Sequence, residues 1–211
     1  HDACRKIAIL TSLISGQHVD FEKIHTEGIT KITTEDMKYA KKLNMAIKLL
    51  ASSKRVGDTF SVLVAPMLLS EEHPLCNVND VFNAVFVRGN MLGDAMFYGS
   101  GAGKLPTASA VVADVVDAAK HLHRNVVTRW DAGELELIPN AEAEHRFFVR
   151  VQGRSEAQKE QIREAFGSVE IVETEELEDE FGFITEVMTE GTYSKKAEAF
   201  PEIIHMIRLA D

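Results

Sequence analysis

Cysteine is nearly missing from this chain of 211 residues, which has only Cys4 and Cys76. Two thiols make no disulfide framework and suit a reducing compartment, so a cytoplasmic location is expected. No apolar run is long enough to span a bilayer and no secretory signal is visible, which argues against membrane partners. Positive charge is in deficit: 23 Lys and Arg face 33 Asp and Glu, a net charge of −10. Such a surface repels phosphate backbones and argues against nucleic acid as a main partner. An initiator methionine is also missing. The chain opens at His1 and passes at once into Ile7-Ala8-Ile9-Leu10, as expected of a chain trimmed from a longer one.

What is present describes a folded protein. Hydrophobic residues make up 45%, enough for one large or two small domains. Asp2 to about Ser15 reads as an amphipathic helix broken by Gly16. Phe21 to Ile32 reads as a connection. Thr33 or Thr34 caps a helix running to about Leu43. Strands are expected at Ala46–Ala51 and at Phe60–Ala65, the second stopped by Pro66. Phe82–Val87 and Asp94–Tyr98 read as a paired ribbon around Gly89, Asn90 and Gly93. A helix from Pro106 or Ala108 to His123 follows. Trp130 to Glu144, with Gly133, Pro139 and several acids, reads as a linker or extended arm.

From His145 the order becomes strand (Arg146–Val151), helix (Ser155–Phe166), strand (Val169–Thr174), strand (Phe181–Met188), helix (Ser194–Ala199), strand (Ile203–Leu209). This is the ferredoxin-like βαββαβ plan. The acidic run Glu173 to Glu180 is expected to be a solvated hairpin tip. The fold class is therefore α/β (α+β): a mixed sheet backed by helices, then a small βαββαβ domain. The expected boundaries are 1–124, a linker at 125–144, and 145–211.

Two constellations carry chemistry. Asp2 and Lys6 are four apart and share one helix face. They are either a surface ion pair or two groups aimed at one bound molecule. The second reading needs the Lys6 ammonium sheltered from water, where it can give a proton to a carbonyl oxygen. The other constellation is Gly99-Ser100-Gly101-Ala102-Gly103-Lys104. It is no Walker loop, because the spacing to Lys104 is one short and Leu105 replaces the Ser or Thr. It is no dinucleotide fingerprint, because Lys104 stands where the third Gly is needed. Glycines before a helix start still let a ligand approach the backbone, and N–H groups there favour anions.

Other polar residues are less informative. Glu27, beside Gly28, is either a group reaching for an amine or a structural carboxylate. Gly28 and Pro74 read as turn residues. His121 and His123, two apart on a helix, do not face each other as a metal pair. Cys4 reads as a small apolar residue.

Asp2-Ala3-Cys4-Arg5-Lys6 resembles the tail of the Gly-x-Asp-x-x-x-Lys motif of homoserine dehydrogenases. Glu27-Gly28-Ile29, Ile47-Lys48-Leu49-Leu50-Ala51, His73-Pro74-Leu75, Asn83-Ala84-Val85, Gly101-Ala102-Gly103 and Pro106-Thr107-Ala108-Ser109-Ala110-Val111-Val112-x-Asp114 fall in that family's order and spacing, over residues 1 to about 124. The resemblance implies reversible reduction of L-aspartate 4-semialdehyde to L-homoserine with NADH or NADPH, in threonine, methionine and isoleucine biosynthesis. It implies Lys6 as proton donor and Asp2 as its partner in holding substrate, with cofactor contacts at Gly103 and Gly101. It also implies a Rossmann domain, holding most of the NAD or NADP site, that these residues do not include. The chain alone is therefore expected to show no turnover.

The tail resembles an ACT regulatory domain, which implies threonine as effector. However, Gly153-Arg154-Ser155-Glu156 replaces the usual Asp-x-Pro-Gly loop. A homodimer is expected. The rival reading is a non-catalytic amino-acid-sensing module in which Asp2 and Lys6 are only an ion pair. A semialdehyde dehydrogenase with a cysteine nucleophile is a weaker rival, because Cys4 has no evident His base.

Overall fold

The computed structural model describes residues 1–127 and 131–210. They form two compact units: residues 1–70 with the described part of 130–211, and the described part of 71–129. In chain order the elements are α1 (Asp2–Ser15), β1 (Gln17–His18), β2 (His25–Thr26), α2 (Thr34–Lys42), β3 (Met45–Val56), β4 (Thr59–Ser70), β5 (Phe82–Gly89), β6 (Gly93–Ser100) and α3 (Lys104–Lys120). There follow β7 (Asp131–Glu134), β8 (Glu144–His145), β9 (Phe147–Gln152), α4 (Glu156–Phe166), β10 (Val169–Val172), β11 (Glu180–Thr185), β12 (Met188–Thr189), α5 (Glu190–Ala197) and β13 (Ile203–Leu209). No helix among the described residues is long and apolar enough to cross a membrane.

The first unit is built on one seven-stranded mixed sheet. Its order runs β10, β11, β9, β13, β4, with β3 on the far edge of β4 and β2 sharing the β13 side of β4. Alternation along β9 explains why its core has two sides. Phe147, Val149 and Val151 pack with Ile162 and Phe166 of α4 and Tyr193 of α5. Phe148 faces the other way, with Tyr39 and Ala40 of α2, Leu68 of β4 and Ile207 and Leu209 of β13. The strand order within the tail, β10-β11-β9-β13, places the four strands of the expected βαββαβ segment side by side.

Several expectations need correction. Pro66 does not stop β4, which runs on to Ser70. The Glu27 N–H donates to the Val64 carbonyl and the Ala210 N–H to that of Leu68. Backbone groups at 64, 66 and 68 point the same way, so Pro66 faces the gap where β4 changes partner from β2 to β13. Its missing N–H removes no bond to β3.

The connection at Phe21–Ile32 holds a 3-10 turn (Phe21–Lys23) and β2. The expected linker is part of the fold: β7 pairs with β1, Leu135 is buried with Cys4 and Ile7, and Leu137 bridges to Phe60. Its apolar Leu135 and Leu137 outweigh the acids beside them. Trp130 lies outside the described residues. The tail is not set apart at 145, because β13 runs parallel to β4 within the shared sheet. The single strand expected over Phe181–Met188 is two, β11 and β12, and the last helix begins at Glu190. The helix expected to reach His123 spans Lys104–Lys120.

Buried charge ties the tail to the amino-terminal half. Arg150 of β9 forks onto Glu180 (2.9 and 2.8 Å) and reaches Asp36 (2.9 Å) and Thr33 (3.0 Å). His205 Nδ1 lies 3.0 Å from the second Asp36 oxygen. A parallel cluster forms at Arg208 of β13, which donates to Glu27 (3.0 and 2.8 Å) and to Glu190. Glu180 is therefore not part of a solvated tip. Glu173 also leaves the expected tip, accepting from the buried Lys159 at 2.7 Å.

Candidate active-site helix

The face that α1 buries dictates where Asp2 and Lys6 point. Cys4, Ile7, Ala8, Thr11 and Ser12 recur three and four residues apart and pack inward. Thr11 Oγ1 donates to Ser53 Oγ (2.8 Å), and Ser12 Oγ accepts the Val19 N–H (3.0 Å). Gly16 closes the helix at φ 73°, its N–H on the Ser12 carbonyl. Asp2 and Lys6 are left on the outer face of the first two turns. Lys6 Nζ donates to Asp2 Oδ2 at 2.8 Å, with the two side chains 70% and 84% exposed. The hydrogen bond and charge of Lys6 hold the Asp2 carboxyl below its ordinary range. The result is an ionised pair presenting an ammonium donor at the positive end of a helix.

The described residues of this unit do not supply the shelter that the functional reading requires. Two clefts formed by its described residues lie elsewhere. One of about 430 Å³ is lined by Lys23, His25, Glu134, Leu137 and Asn140. The other, about 270 Å³, is lined by Glu27, Lys31, Pro66 and His205. Neither is lined by Asp2 or Lys6.

Glu27 resolves to a structural carboxylate. Burial pushes its pKa up, but hydrogen bonds from Arg208 and His25 outweigh that and leave it lowered. His25 Nε2 sits 2.7 Å from Glu27 Oε1. Cys4 is buried, its thiol on the Phe21 carbonyl at 3.2 Å. Sequence reasoning passed over Arg150 and Arg208. The available signal was a charged residue inside an apolar strand run, which demands a buried partner.

Gly101 and Gly103 belong to the second unit, where β5 and β6 pair antiparallel from Phe82↔Ser100 to Gly89↔Gly93. Each glycine has a local reason. A Cβ on Gly101 would stand 2.1 Å from Asn83 Nδ2. Gly103 caps α3 at φ 114°, ψ 159°, a conformation nearly confined to glycine. The groups at this turn that can meet an anion are the first-turn N–H groups of Lys104 and Leu105, which a helix leaves without intrahelical partners, and the Lys104 ammonium.

Comparison with known proteins shows what the chain is similar to. A family model described as homoserine dehydrogenase matches residues 1–116. The homoserine dehydrogenase of Neisseria gonorrhoeae is 37% identical over 164 residues, covering 74% of this chain and 38% of the relative. That of Synechocystis sp. is 46% identical over 154 residues, covering 71% and 34%. A solved homoserine dehydrogenase from Thiobacillus denitrificans superposes on 100% of this chain and 53% of its own, with TM-score 0.86 at 30% identity. The S. aureus enzyme at pH 6.5 gives 0.76 at 25% identity, over 100% of this chain and 52% of its own. The mixed α/β fold is thus shared with a class of oxidoreductases. Since the family model covers more than half of its residues, the chain belongs to the homoserine dehydrogenase family. It spans about half the length of these solved enzymes, and less of the two curated relatives.

Proposed function

We propose that this chain is the substrate-side half of an enzyme that reversibly reduces L-aspartate 4-semialdehyde to L-homoserine. The observation that carries this reading is the Lys6–Asp2 pair, at 2.8 Å on the first turns of a helix anchored by its inner face, within the stretch matching the family model. Lys6 donates a proton to the carbonyl oxygen as it gains negative charge. Asp2 keeps the ammonium oriented and its charge held. General acid assistance of this kind contributes about 10²- to 10⁴-fold.

NADH or NADPH, when bound, supplies the hydride. From this chain the Gly101–Gly103 turn and the amides at the start of α3 would contact it. The nucleotide-binding domain that the resemblance implies would hold the rest of the cofactor and shut water away from Lys6.

The tail we read as structural. In the loop at Gly153–Glu156, Ser155 accepts the Gln158 N–H and Arg154 donates to the Thr174 carbonyl. Exposed Phe97 and Tyr98 on the ribbon, with Val111, Val112 and Val115 on α3, suit the expected homodimer.

The test is homoserine-dependent reduction of NAD⁺ or NADP⁺ by the protein carrying this chain together with its nucleotide-binding domain. Turnover there, and none from residues 1–211 alone, supports the reading. Turnover by the isolated chain contradicts the division of labour. A longer protein with no homoserine-dependent turnover contradicts the function.

A further inference from the structure

We infer that Phe21 is a positioning residue for the Asp2–Lys6 pair, an inference that rests on the functional reading just given. Between Asp2 and Lys6 lie Ala3, Cys4 and Arg5, and two of these grip the same distant residue. The Cys4 thiol donates to the Phe21 carbonyl at 3.2 Å. The Arg5 guanidinium lies over the Phe21 ring, 5.2 Å from its centroid. One contact comes from the buried side of the first helical turn and the other from its exposed side, so Phe21 holds that turn across its width.

The clamp acts at the end of α1 that carries the pair, where Cys4 is buried in the core. The anchors of Thr11 on Ser53 and Ser12 on Val19 are both beyond Lys6 along the helix. Phe21 adds a hydrogen-bond and ring anchor at the reactive end. It is itself set in a 3-10 turn that Asp20 caps, its carboxylate accepting the Glu22 N–H at 3.0 Å. That turn leads directly into β2, which pairs with β4. Lys6 is thereby referenced to the sheet through Cys4, Arg5 and Phe21. A proton donor must be held near its productive geometry, and a misplacement of an ångström costs up to about a hundredfold in rate.

The experiment uses the longer protein that carries both this chain and its nucleotide-binding domain. Phe21→Leu keeps apolar bulk and removes the ring face; Phe21→Tyr keeps the face. The expected result for Phe21→Leu is a fall in kcat of about tenfold or more, with KM within about twofold, and near-full recovery in Phe21→Tyr. Read on the Cys4-containing peptide by mass spectrometry, Cys4 should react with a thiol reagent at least about tenfold faster in Phe21→Leu, as the first turn opens more often. Arg5→Met should reproduce part of the kcat loss.

Wild-type kcat and unchanged Cys4 labelling in Phe21→Leu would overturn the inference while leaving Lys6 as proton donor. A kcat loss that Phe21→Tyr does not restore would also overturn it. Full activity of Lys6→Ala would overturn the functional reading and this inference with it.

Discussion

Arg150→Met is the substitution whose cost the structure fixes best. Methionine matches the aliphatic stem, so little packing is lost, but two carboxylates lose their shared cation. Asp36 and Glu180 are both buried. Removing one partner of a buried ion pair costs about 3–5 kcal/mol, because the remaining charge stays desolvated. Asp36 keeps the Thr33 N–H at 2.8 Å and His205 at 3.0 Å, which favours the lower end, about 3 kcal/mol.

A second readout comes from acid. Burial raises the Asp36 carboxyl, but His205, Arg150 and the Thr33 N–H outweigh it and bring it from 3.8 to about 2. A carboxyl lowered in the folded state stabilises above its unfolded pKa. That contribution disappears as pH falls through the folded pKa. The window is therefore pH 4 down to pH 2, and the amount is about 2 kcal/mol. Urea denaturation at pH 7 and through the acid range measures both. Arg150→Met should lower the midpoint by the equivalent of about 3 kcal/mol and show a shallower loss between pH 4 and pH 2. A cost below about 1 kcal/mol at pH 7, or an unchanged acid profile, would refute the argument that the Arg150 cluster ties β9 and β11 to α2.

Two further substitutions test local geometry. Gly101→Ala should destabilise the second unit by about 1 kcal/mol, because its Cβ displaces the exposed Asn83 side chain from the Val81 carbonyl, and Asn83→Ala should relieve most of that cost in a thermal melt. Pro66→Ala should cost no more than about 1 kcal/mol, whereas Met67→Pro, one residue further along β4, should cost more than about 3 kcal/mol because it removes an N–H directed at β3. Equal costs at 66 and 67 would contradict the alternation drawn for β4.

Much of this fold could be read from local pattern. The spacing of Cys4, Ile7, Ala8 and Thr11 marks the inner face of α1, and Thr33 with Asp36 marks a capped start for α2. Alternation and glycine punctuation mark the ribbon at Phe82–Ser100. Partner choice across the chain was less legible. Pro66 looked like a strand end because a single sequence does not show which edge of β4 its nitrogen faces. Asp131–Leu137 looked like a linker because its acids are obvious, while pairing with Gln17 and burial against Cys4 are long-range events. The ion clusters joining Arg150 to Asp36 and Arg208 to Glu27 were invisible for the same reason: each unites residues more than a hundred positions apart. For the candidate site, the Asp2–Lys6 spacing sufficed to bring the two groups together. It did not reveal that both stay exposed, since exposure depends on what packs over the outer face of α1. Phe21 was missed because its contacts come from a backbone carbonyl and a ring face.

The central claim is that the Lys6 ammonium delivers the proton. Its most direct test is kcat of Lys6→Ala in the protein carrying this chain and its nucleotide-binding domain, measured without and with added small primary amines. The account predicts a loss of about 10²- to 10⁴-fold, partly restored by the amine in its ammonium form. A Lys6→Ala enzyme that turns over at the wild-type rate would contradict it.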